Sequence, residues 1–239
     1  AANPPIPPAA VAGDARGRLH LEAREPGDYE LVAASGRIRH ARVPAVPRPL
    51  EVTGPWQVRF GPGRGAPAQT TFDPLVSWSQ HPDAGIRFFS GEATYTKTVE
   101  IPRELLGKRE PLHLDLGTVR EMAEVRLNGK NLGTLWKPPF VVDIRDAAKA
   151  GANRLEVRVV NLWPNRLIGD EQLPEDSERN PDGTLKAWPR WLLEGQPSPA
   201  GRFTFTSWRL WKKDEALLPS GLLGPVTLRA VPRIRVPGS

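Results

Sequence analysis

Residues 127–144 read "LNGKNLGTLWKPPFVVDI", and this stretch decides the fold class. An alternating apolar run leads into Asn128-Gly129, the strongest short sequence signal for a two-residue β-hairpin. A second short strand follows and ends at Trp136, and Pro138-Pro139 then interrupts regular pairing. Trp136 therefore stands at the exit of a hairpin, where its ring either fills a core or faces a ligand.

The same alternation of apolar and polar residues recurs along the chain. It is clearest in "ATYTKTVEI" (93–101), "LHLDL" (112–116) and "RLEVRVV" (154–160), and "FTFT" (203–206) repeats it more briefly. Helix signals are few. Many short strands separated by Gly and Pro predict an all-β fold, an antiparallel β-sandwich of the jelly-roll type with extra N-terminal strands.

Two regions depart from this regular pattern. Residues 1–50 are predicted to be extra N-terminal strands or the remnant of a preceding β domain, and residues 51–239 to be the jelly-roll domain. Residues 162–202 form a long connection with little periodicity, and a loop of that length in a domain is usually functional or mobile.

Composition and charge exclude several classes of function. The chain has 239 residues with 33 Lys and Arg against 27 Asp and Glu, a net charge of +6. The basic residues alternate with apolar ones instead of clustering, so we expect no nucleic-acid partner. No apolar run is long enough to span a bilayer, so we expect no membrane association.

Cysteine is absent, which excludes disulfides, Cys-ligated metals and Cys nucleophiles. The N-terminal stretch "AANPPIPPAAVAG" lacks a basic region followed by an apolar one, so it is not an intact signal peptide. The segment fits what remains after cleavage of a leader as well as a simple boundary of the sequence. We expect a secreted or periplasmic bacterial protein.

Tryptophan is the most informative residue type here. The chain has eight Trp, seven Phe and two Tyr, so indole rings dominate its aromatic content. A flat ring can stack on the apolar C–H face of a sugar, or it can anchor a loop with its N–H on a backbone carbonyl. Those in non-strand sequence are Trp78, Trp136, Trp163, Trp188 and Trp191. We predict that at least one of these rings faces a ligand.

Acidic residues concentrate in the long connection, at Asp170, Glu171, Glu175, Asp176, Glu178 and Asp182. They fit a solvated loop, a calcium site or a glycosidase acid/base pair. The spacing of Glu178, Asn180 and Asp182 resembles the first half of a calcium-binding loop, but Pro189 occupies the position of the bidentate Glu. A hydrophilic loop gives no sign of the desolvated setting that a catalytic carboxylate pair needs.

His81, in "WSQHPDAGIRFFSG" (78–91), could line a polar pocket, although a turn position capped by Pro82 is the simpler interpretation. No nucleophile elbow, phosphate-binding Gly loop or HExxH motif is present. The sequence therefore predicts no catalytic residue.

The ordered set "SGEATYTKTVEIP", "VRLNGKNLG", "LWKPPFVVDI", "AGANRLEVRVVNLWPNRLIGD" and "SWRLWKKDEALLPSGLLGPVTL" resembles a known family pattern. It is similar to the galactose-binding-like jelly roll called the sugar-binding domain of glycoside hydrolase family 2. It resembles still more the C-terminal part of glycoside hydrolase family 106, the α-L-rhamnosidase-like proteins. The resemblance covers about residues 50 to 232.

In that family the catalytic carboxylates belong to a large barrel, and this chain is too short to hold a (β/α)₈ barrel of about 250 residues. The resemblance thus implies a non-catalytic accessory module that requires no cofactor, although such domains often carry a structural calcium ion. Its partners would be a polysaccharide and a catalytic barrel. A purely structural domain packed on that barrel, and a standalone glycosidase using loop carboxylates, are the alternatives.

If the module binds sugar, aromatic rings would stack while Arg166 and Asp170 bond vicinal hydroxyls. The expected carbohydrate-binding residues are Trp78, His81, Trp136, Trp163, Asn165, Arg166 and Asp170, with Trp188 and Trp191 as second choices.

Overall fold

The computed structural model of the chain describes residues 6–14, 16–106 and 110–236. The strands are β1 (Ala9–Gly13), β2 (Leu19–Ala23), β3 (Gly27–Val32), β4 (Ile38–Val43), β5 (Leu50–Glu51), β6 (Trp56–Phe60), β7 (Gln69–Phe72), β8 (Glu92–Ile101), β9 (Leu112–Asp115), β10 (Thr118–Arg120), β11 (Met122–Leu127), β12 (Lys130–Leu135), β13 (Val141–Asp143), β14 (Gly151–Val160), β15 (Gly221–Gly224), β16 (Thr227–Ala230) and β17 (Arg233–Arg235). The helices are α1 (Ala84–Arg87), α2 (Pro164–Asp170) and α3 (Arg190–Leu193), and 3₁₀ turns lie at Trp78–Gln80 and Arg103–Leu106.

The predicted hairpin joins β11 and β12 through Asn128 and Gly129 alone. Both turn residues have positive φ, 52° at Asn128 and 82° at Gly129. This is the backbone of a type I′ turn, whose twist matches that of the flanking strands and which Asn-Gly adopts most readily. The local sequence therefore fixes this turn.

Two antiparallel sheets face each other. The larger has six strands in the order β12-β11-β14-β8-β6-β7, and the smaller has four in the order β13-β9-β16-β5. Alternate residues of both sheets enter one shared apolar core, for example Val157 and Tyr95 from the large sheet and Leu114 and Leu228 from the small one. The predicted all-β antiparallel sandwich is confirmed, and the described strands close no barrel.

Trp78 and Tyr95 lie at the centre of that core with no exposed surface. Their rings are nearly parallel at 9°, and the Trp78 indole N–H donates to the Tyr95 hydroxyl. The backbone N–H of Leu222 donates to the same oxygen. A Cβ on Gly221, which has φ +98°, would lie 2.5 Å from Trp78 Nε1, so a side chain has no room there. Trp78 is a core residue, and the expectation that it lines a ligand site is wrong.

A smaller unit lies beside the sandwich. β1, β2 and β17 form one sheet and β3 pairs with β4, so a strand from the C-terminal end completes the N-terminal region. The unit has its own apolar cluster, built on Leu21, Ala23, Ala41, Val43 and Val236.

In the structure the long connection extends to residue 220, immediately before β15, and it contains no strand after α2, so the strand expected at "FTFT" (203–206) does not form. Its backbone donors serve another purpose, because the N–H groups of Phe203 and Thr204 both donate to the Asp170 carboxylate. The buried Asp170 carboxylate therefore accepts hydrogen bonds that a neighbouring strand would otherwise accept. In the described part of the chain, no helix has the length and apolarity required to cross a membrane.

Candidate functional site

The strand register brings several loops to one end of the six-stranded sheet. The residues that lie side by side across five neighbouring strands are Leu135, Ala123, Val159, Ala93 and Phe60. Strands are about 4.8 Å apart, so this row spans roughly 19 Å. We call this end, where the next residues beyond the row are Trp136, Met122, Val160, Glu92 and Gly61, the aromatic end.

Two of the predicted tryptophans are exposed at the aromatic end. Trp136 follows β12 and is 66% exposed, and Trp163 follows β14 and is 50% exposed. Each has a cation over its ring, with Lys137 Nζ 5.2 Å from the Trp136 centroid and Arg64 Cζ 4.9 Å from the Trp163 centroid. Each ring is therefore held by its neighbour yet accessible to solvent, as a stacking platform requires.

An open cleft of about 340 Å³ lies against Trp163. Its walls are formed by Gly61, Pro62, Arg64, Gly91, Glu92, Val160, Asn161 and Trp163. The volume is at the lower end of the range for small-molecule sites.

The walls of the cleft are fixed by buried polar contacts. The Asn161 side chain accepts from the Gly91 N–H and donates to the Phe89 carbonyl, while the Ser90 hydroxyl donates to the Leu162 carbonyl. Asn161 uses its amide in this bracing, so it is a supporting residue. Arg64 and Glu92 are then the side chains with charged atoms that line the cleft.

The loop that carries Arg64 is pressed against α1. A Cβ on Gly85 would stand 2.1 Å from the Gly65 carbonyl oxygen, so only glycine allows this approach. Phe203 lies on the other side of the loop, 3.1 Å from where a Gly65 Cβ would be, and is 47% exposed. The loop is held between these contacts, which keeps Arg64 next to Trp163.

Asn165, Arg166 and Asp170 were expected to bond sugar hydroxyls, but all three are buried on α2. Asn165 is occupied by the backbone of Leu218 and the hydroxyl of Ser220. Its amide is therefore a brace between α2 and the segment before β15. A hydroxyl-binding role for Asn165 is wrong in this structure.

The Arg166 Nε lies 3.0 Å from Asp170 Oδ1, and the two side chains are 6% and 3% exposed. Asp170 Oδ2 also accepts from Thr204 Oγ1 and from the backbone N–H groups of Phe203 and Thr204. Burial lowers the pKa of Arg166, and the charge of Asp170 opposes that shift. This pair ties α2 to the long connection, and the expectation that it reads a sugar is wrong.

Trp188 and Trp191 lie in the long connection and meet on Phe205, at centroid distances of 5.7 and 5.9 Å. Trp188 is 59% exposed, whereas Trp191 is half-buried and donates its indole N–H to the Asp176 carbonyl. Trp191 therefore anchors the loop, and Trp188 remains accessible. Neither ring lines the cleft at the aromatic end.

Ion pairs hold the rest of the long connection. Arg202 donates to the Glu171 carboxylate and to the carbonyls of Leu173 and Pro174, and Arg209 pairs with Glu171 and Glu175. Burial lowers the pKa of Arg179, and the nearby Arg209 charge lowers it further. Glu171 and Glu175 are thus counter-charges for the arginines of the long connection.

His81 is half-buried, and its ring centroid lies 5.4 Å from that of Phe72 with the two planes tilted by 49°. Its Nδ1 accepts the backbone N–H of Asp83, the residue whose carboxylate caps α1. His81 therefore stabilises a turn, as the simpler interpretation of the sequence has it.

The residues proposed for calcium do not fit a metal site. Asp182 Oδ1 accepts from both the N–H and the hydroxyl of Thr184, and the Asn180 amide donates to that hydroxyl. Glu178 lies 3.9 Å from Lys186 Nζ. Among the described residues, no group of three or more His, Asp or Glu side chains could hold a metal ion. The spacing that resembles a calcium loop forms a hydrogen-bonded turn.

Four further residues belong to this surface or border it although no local sequence pattern indicates them, namely Arg64, Lys137, Met122 and Phe203. Arg64 sits in the Gly- and Pro-rich stretch "GPGRGAP" (61–67), which looks like an ordinary turn. The register that places it beside Trp163 joins residues about 100 positions apart, and no local pattern records that pairing.

Known proteins resemble this chain in sequence and in structure. A scan against models of protein families gives no match. The chain is 46% identical over 206 residues to a protein named "Putative beta-glucuronidase" from Formosa agariphila, an alignment that covers 86% of this chain and 18% of the relative. The solved structure of a rhamnosidase from Novosphingobium sp. PP1Y matches with a TM-score of 0.63 and 27% identity, covering 94% of this chain and 25% of the rhamnosidase.

The chain resembles a small part of two glycoside hydrolases. It spans about a fifth of the length of the curated relative and a quarter of the rhamnosidase. A relationship to glycoside hydrolases is thus supported, and the chain has the proportions of an accessory domain. Placement in family 106 or near family 2 stays a prediction.

Proposed function

We propose that the chain is a non-catalytic accessory module of a glycoside hydrolase and that it binds carbohydrate at its aromatic end. The observation that carries this proposal is the pair of exposed rings, Trp136 and Trp163, projecting from one end of one sheet. The similarity to parts of a rhamnosidase and a glucuronidase supports a polysaccharide of plant or microbial origin as the ligand. We further propose that the module works outside the cell or in the periplasm.

The geometry supports an extended ligand. Trp136 and Trp163 leave the sheet from β12 and β14, which are two strand spacings or about 10 Å apart. Stacking on each ring would contribute apolar contact while the charged groups bond hydroxyls. Because the rings occupy an open surface instead of a closed pocket, the module would take an internal stretch of a polysaccharide.

The test compares variants of the purified chain by affinity gel electrophoresis and calorimetry over a panel of polysaccharides. Trp163→Ala should reduce affinity roughly tenfold, because an aromatic contact is worth about 0.5–1.5 kcal/mol beyond the apolar area that it buries. Trp208→Ala is the matched control, since that ring is 53% exposed but lies in the long connection. Absence of binding by the unmodified chain across the panel would overturn the proposal.

A second candidate is a structural role against a catalytic barrel. The long connection exposes several large apolar side chains, namely Trp188, Leu193, Phe203, Trp208 and Leu210. Exposed apolar residues concentrated in one segment are typical of a surface that another domain covers. If this candidate is right, Trp208→Ala and Leu210→Ser should weaken association with the catalytic part, whereas Trp163→Ala should not.

A further inference from the structure

Basic side chains lie beside the two exposed rings of the aromatic end, although stacking of a ring on a sugar needs no charge. We infer that it selects anionic carbohydrate, in which a carboxylate or sulfate group lies beside Arg64 while the sugar ring contacts Trp163. This inference rests on the proposed carbohydrate-binding function and specifies the class of sugar.

Arg64 is the first observation. Its guanidinium lies over Trp163 at 4.9 Å and donates through Nη1 to the Ser90 carbonyl. No carboxylate among the described residues forms an ion pair with it. Its charge therefore lacks a counter-ion, and its remaining N–H groups can donate to a bound anion.

Glu92 is the one carboxylate among the residues that line the cleft, and its charge is already compensated. Its Oε2 accepts from Arg158 Nη1 at 2.8 Å. Arg158 in turn bonds Glu124 at 3.0 Å, and the pKa of Glu124 is lowered by its hydrogen bond from Arg126 and by its contact with Arg158. This row of pairs keeps Glu92 directed along the face of the sheet, so it does not cancel Arg64.

Lys137 lies over Trp136 in the same way that Arg64 lies over Trp163. Its ammonium lies 5.2 Å from the Trp136 ring, and no described carboxylate pairs with it. Glu121 immediately precedes β11, the strand between β12 and β14. Its carboxylate forms no ion pair with the described residues. The cleft lies against Trp163 and is lined by Arg64, so we assign the anion site to Arg64.

A guanidinium next to an aromatic ring suits a sugar that carries an acidic group. The ring contacts the apolar face, and the guanidinium can form a two-point contact with a carboxylate or sulfate, since both present paired oxygens in one plane of approach. A neutral sugar would satisfy Arg64 only through hydroxyls, which are weaker acceptors. The excess of basic residues, with a net charge of +6, would add long-range attraction to a polyanion.

The experiment titrates the full chain with two matched pairs of oligosaccharides, measured by calorimetry in 50 and 500 mM NaCl. One pair is an oligouronate and its carboxyl-reduced form, and the other is a sulfated oligosaccharide and its desulfated form. We expect the preferred acid form to bind roughly tenfold tighter than its neutral counterpart in low salt, because charge-assisted hydrogen bonds exceed neutral ones by about that factor. The preference should shrink in high salt.

Variants locate the effect. Arg64→Gln should abolish the preference, because it lowers affinity for the acid form more than affinity for the neutral form, and Glu121→Gln should raise affinity for the acid form slightly. Lys130→Gln is the matched control, because it removes the same charge from the opposite end of β12. A thermal melt of each variant confirms that it is folded.

The outcomes separate the two proposals. Equal affinity for acid and neutral forms would overturn anion selection and leave sugar binding intact. A preference that survives Arg64→Gln would overturn the assignment to this cleft. Absence of binding to every oligosaccharide would refute the proposed function itself and the inference with it.

Discussion

The carboxylate of Asp170, at the end of α2, is surrounded by four donor groups. One oxygen faces Arg166 Nε, and the other accepts two backbone N–H groups and the Thr204 hydroxyl. A carboxylate with this many donors inside a protein is a structural element, because removing its charge leaves a buried guanidinium uncompensated.

Asp170→Asn should therefore destabilise the chain by about 3 kcal/mol, the cost typical of breaking a buried ion pair. Urea unfolding followed by fluorescence would measure it. Asp28→Asn is the control, because Asp28 and Arg42 form a pair that is more than 80% exposed, and no measurable change is expected there. Unchanged stability of Asp170→Asn would show that this carboxylate is not structural.

Tyr95 is the second residue on which the core depends. It has no exposed surface, and burial raises the pKa of its hydroxyl well above the ordinary value of 10.0, against the smaller effects of hydrogen bonds from Leu222 and Trp78. Above about pH 10 the tyrosine of the unfolded chain ionises while folded Tyr95 keeps its proton. The stability associated with this group is thus complete below pH 10 and falls as pH rises beyond it.

Tyr95→Phe should remove this alkaline decline and, at neutral pH, cost about 2 kcal/mol because Trp78 Nε1 and the Leu222 N–H lose their acceptor. Thermal unfolding between pH 7 and 11 would show both effects. Tyr29→Phe, which alters the other tyrosine of the chain at an exposed hydroxyl, should keep the steep decline. A decline of equal size in Tyr95→Phe would contradict the assignment.

At the scale of the elements, β17 links the two ends of the chain. It pairs with β2 through Ile234 and Leu21, and Val236 is completely buried in the cluster of the smaller unit. Few side chains make up that cluster, so its stability depends on each of them.

Val236→Asp should open the smaller unit and leave the sandwich folded, since a carboxylate in that cluster has no partner and costs roughly 3 kcal/mol or more. Hydrogen exchange should accelerate in residues 19–43 while β8 and β14 stay protected. Val32→Asp is the control, because Val32 is 65% exposed. Simultaneous loss of protection in both regions would mean that the chain unfolds as one cooperative unit.

At the scale of the whole molecule, two of the loop carboxylates that a standalone glycosidase would use are engaged by arginines. Asp170 is buried against Arg166, and Glu171 is shared between Arg202 and Arg209. A glycosidase needs one carboxyl that releases a proton and a second that attacks or activates water, both facing the same sugar. These carboxylates face arginines instead.

The purified chain should consequently show no turnover of 4-nitrophenyl α-L-rhamnoside or 4-nitrophenyl β-D-glucuronide. Release of 4-nitrophenol over a day would measure this, with Glu171→Gln and the exposed Glu178→Gln compared in parallel. Turnover that Glu171→Gln abolishes and Glu178→Gln retains would establish the standalone glycosidase.

The sequence by itself determined the strands β8, β9 and β14, the Asn128-Gly129 turn and the sandwich class, although the strand expected at 203–206 does not form. These depend on alternation and turn chemistry, which act between residues close in the chain. The sequence also singled out Trp136 and Trp163, but it could not separate them from Trp78, because all three lie outside strand-like runs.

Only the tertiary structure decided which ring is buried. Trp78 lies in the core because Tyr95 and Gly221, far from it in sequence, leave it a space and an acceptor. Trp163 is exposed beside Arg64 because the register of five strands brings their loops to one end. Burial and charge pairing are set by contacts between distant segments, so the candidate site became visible only when the sheet had been assembled.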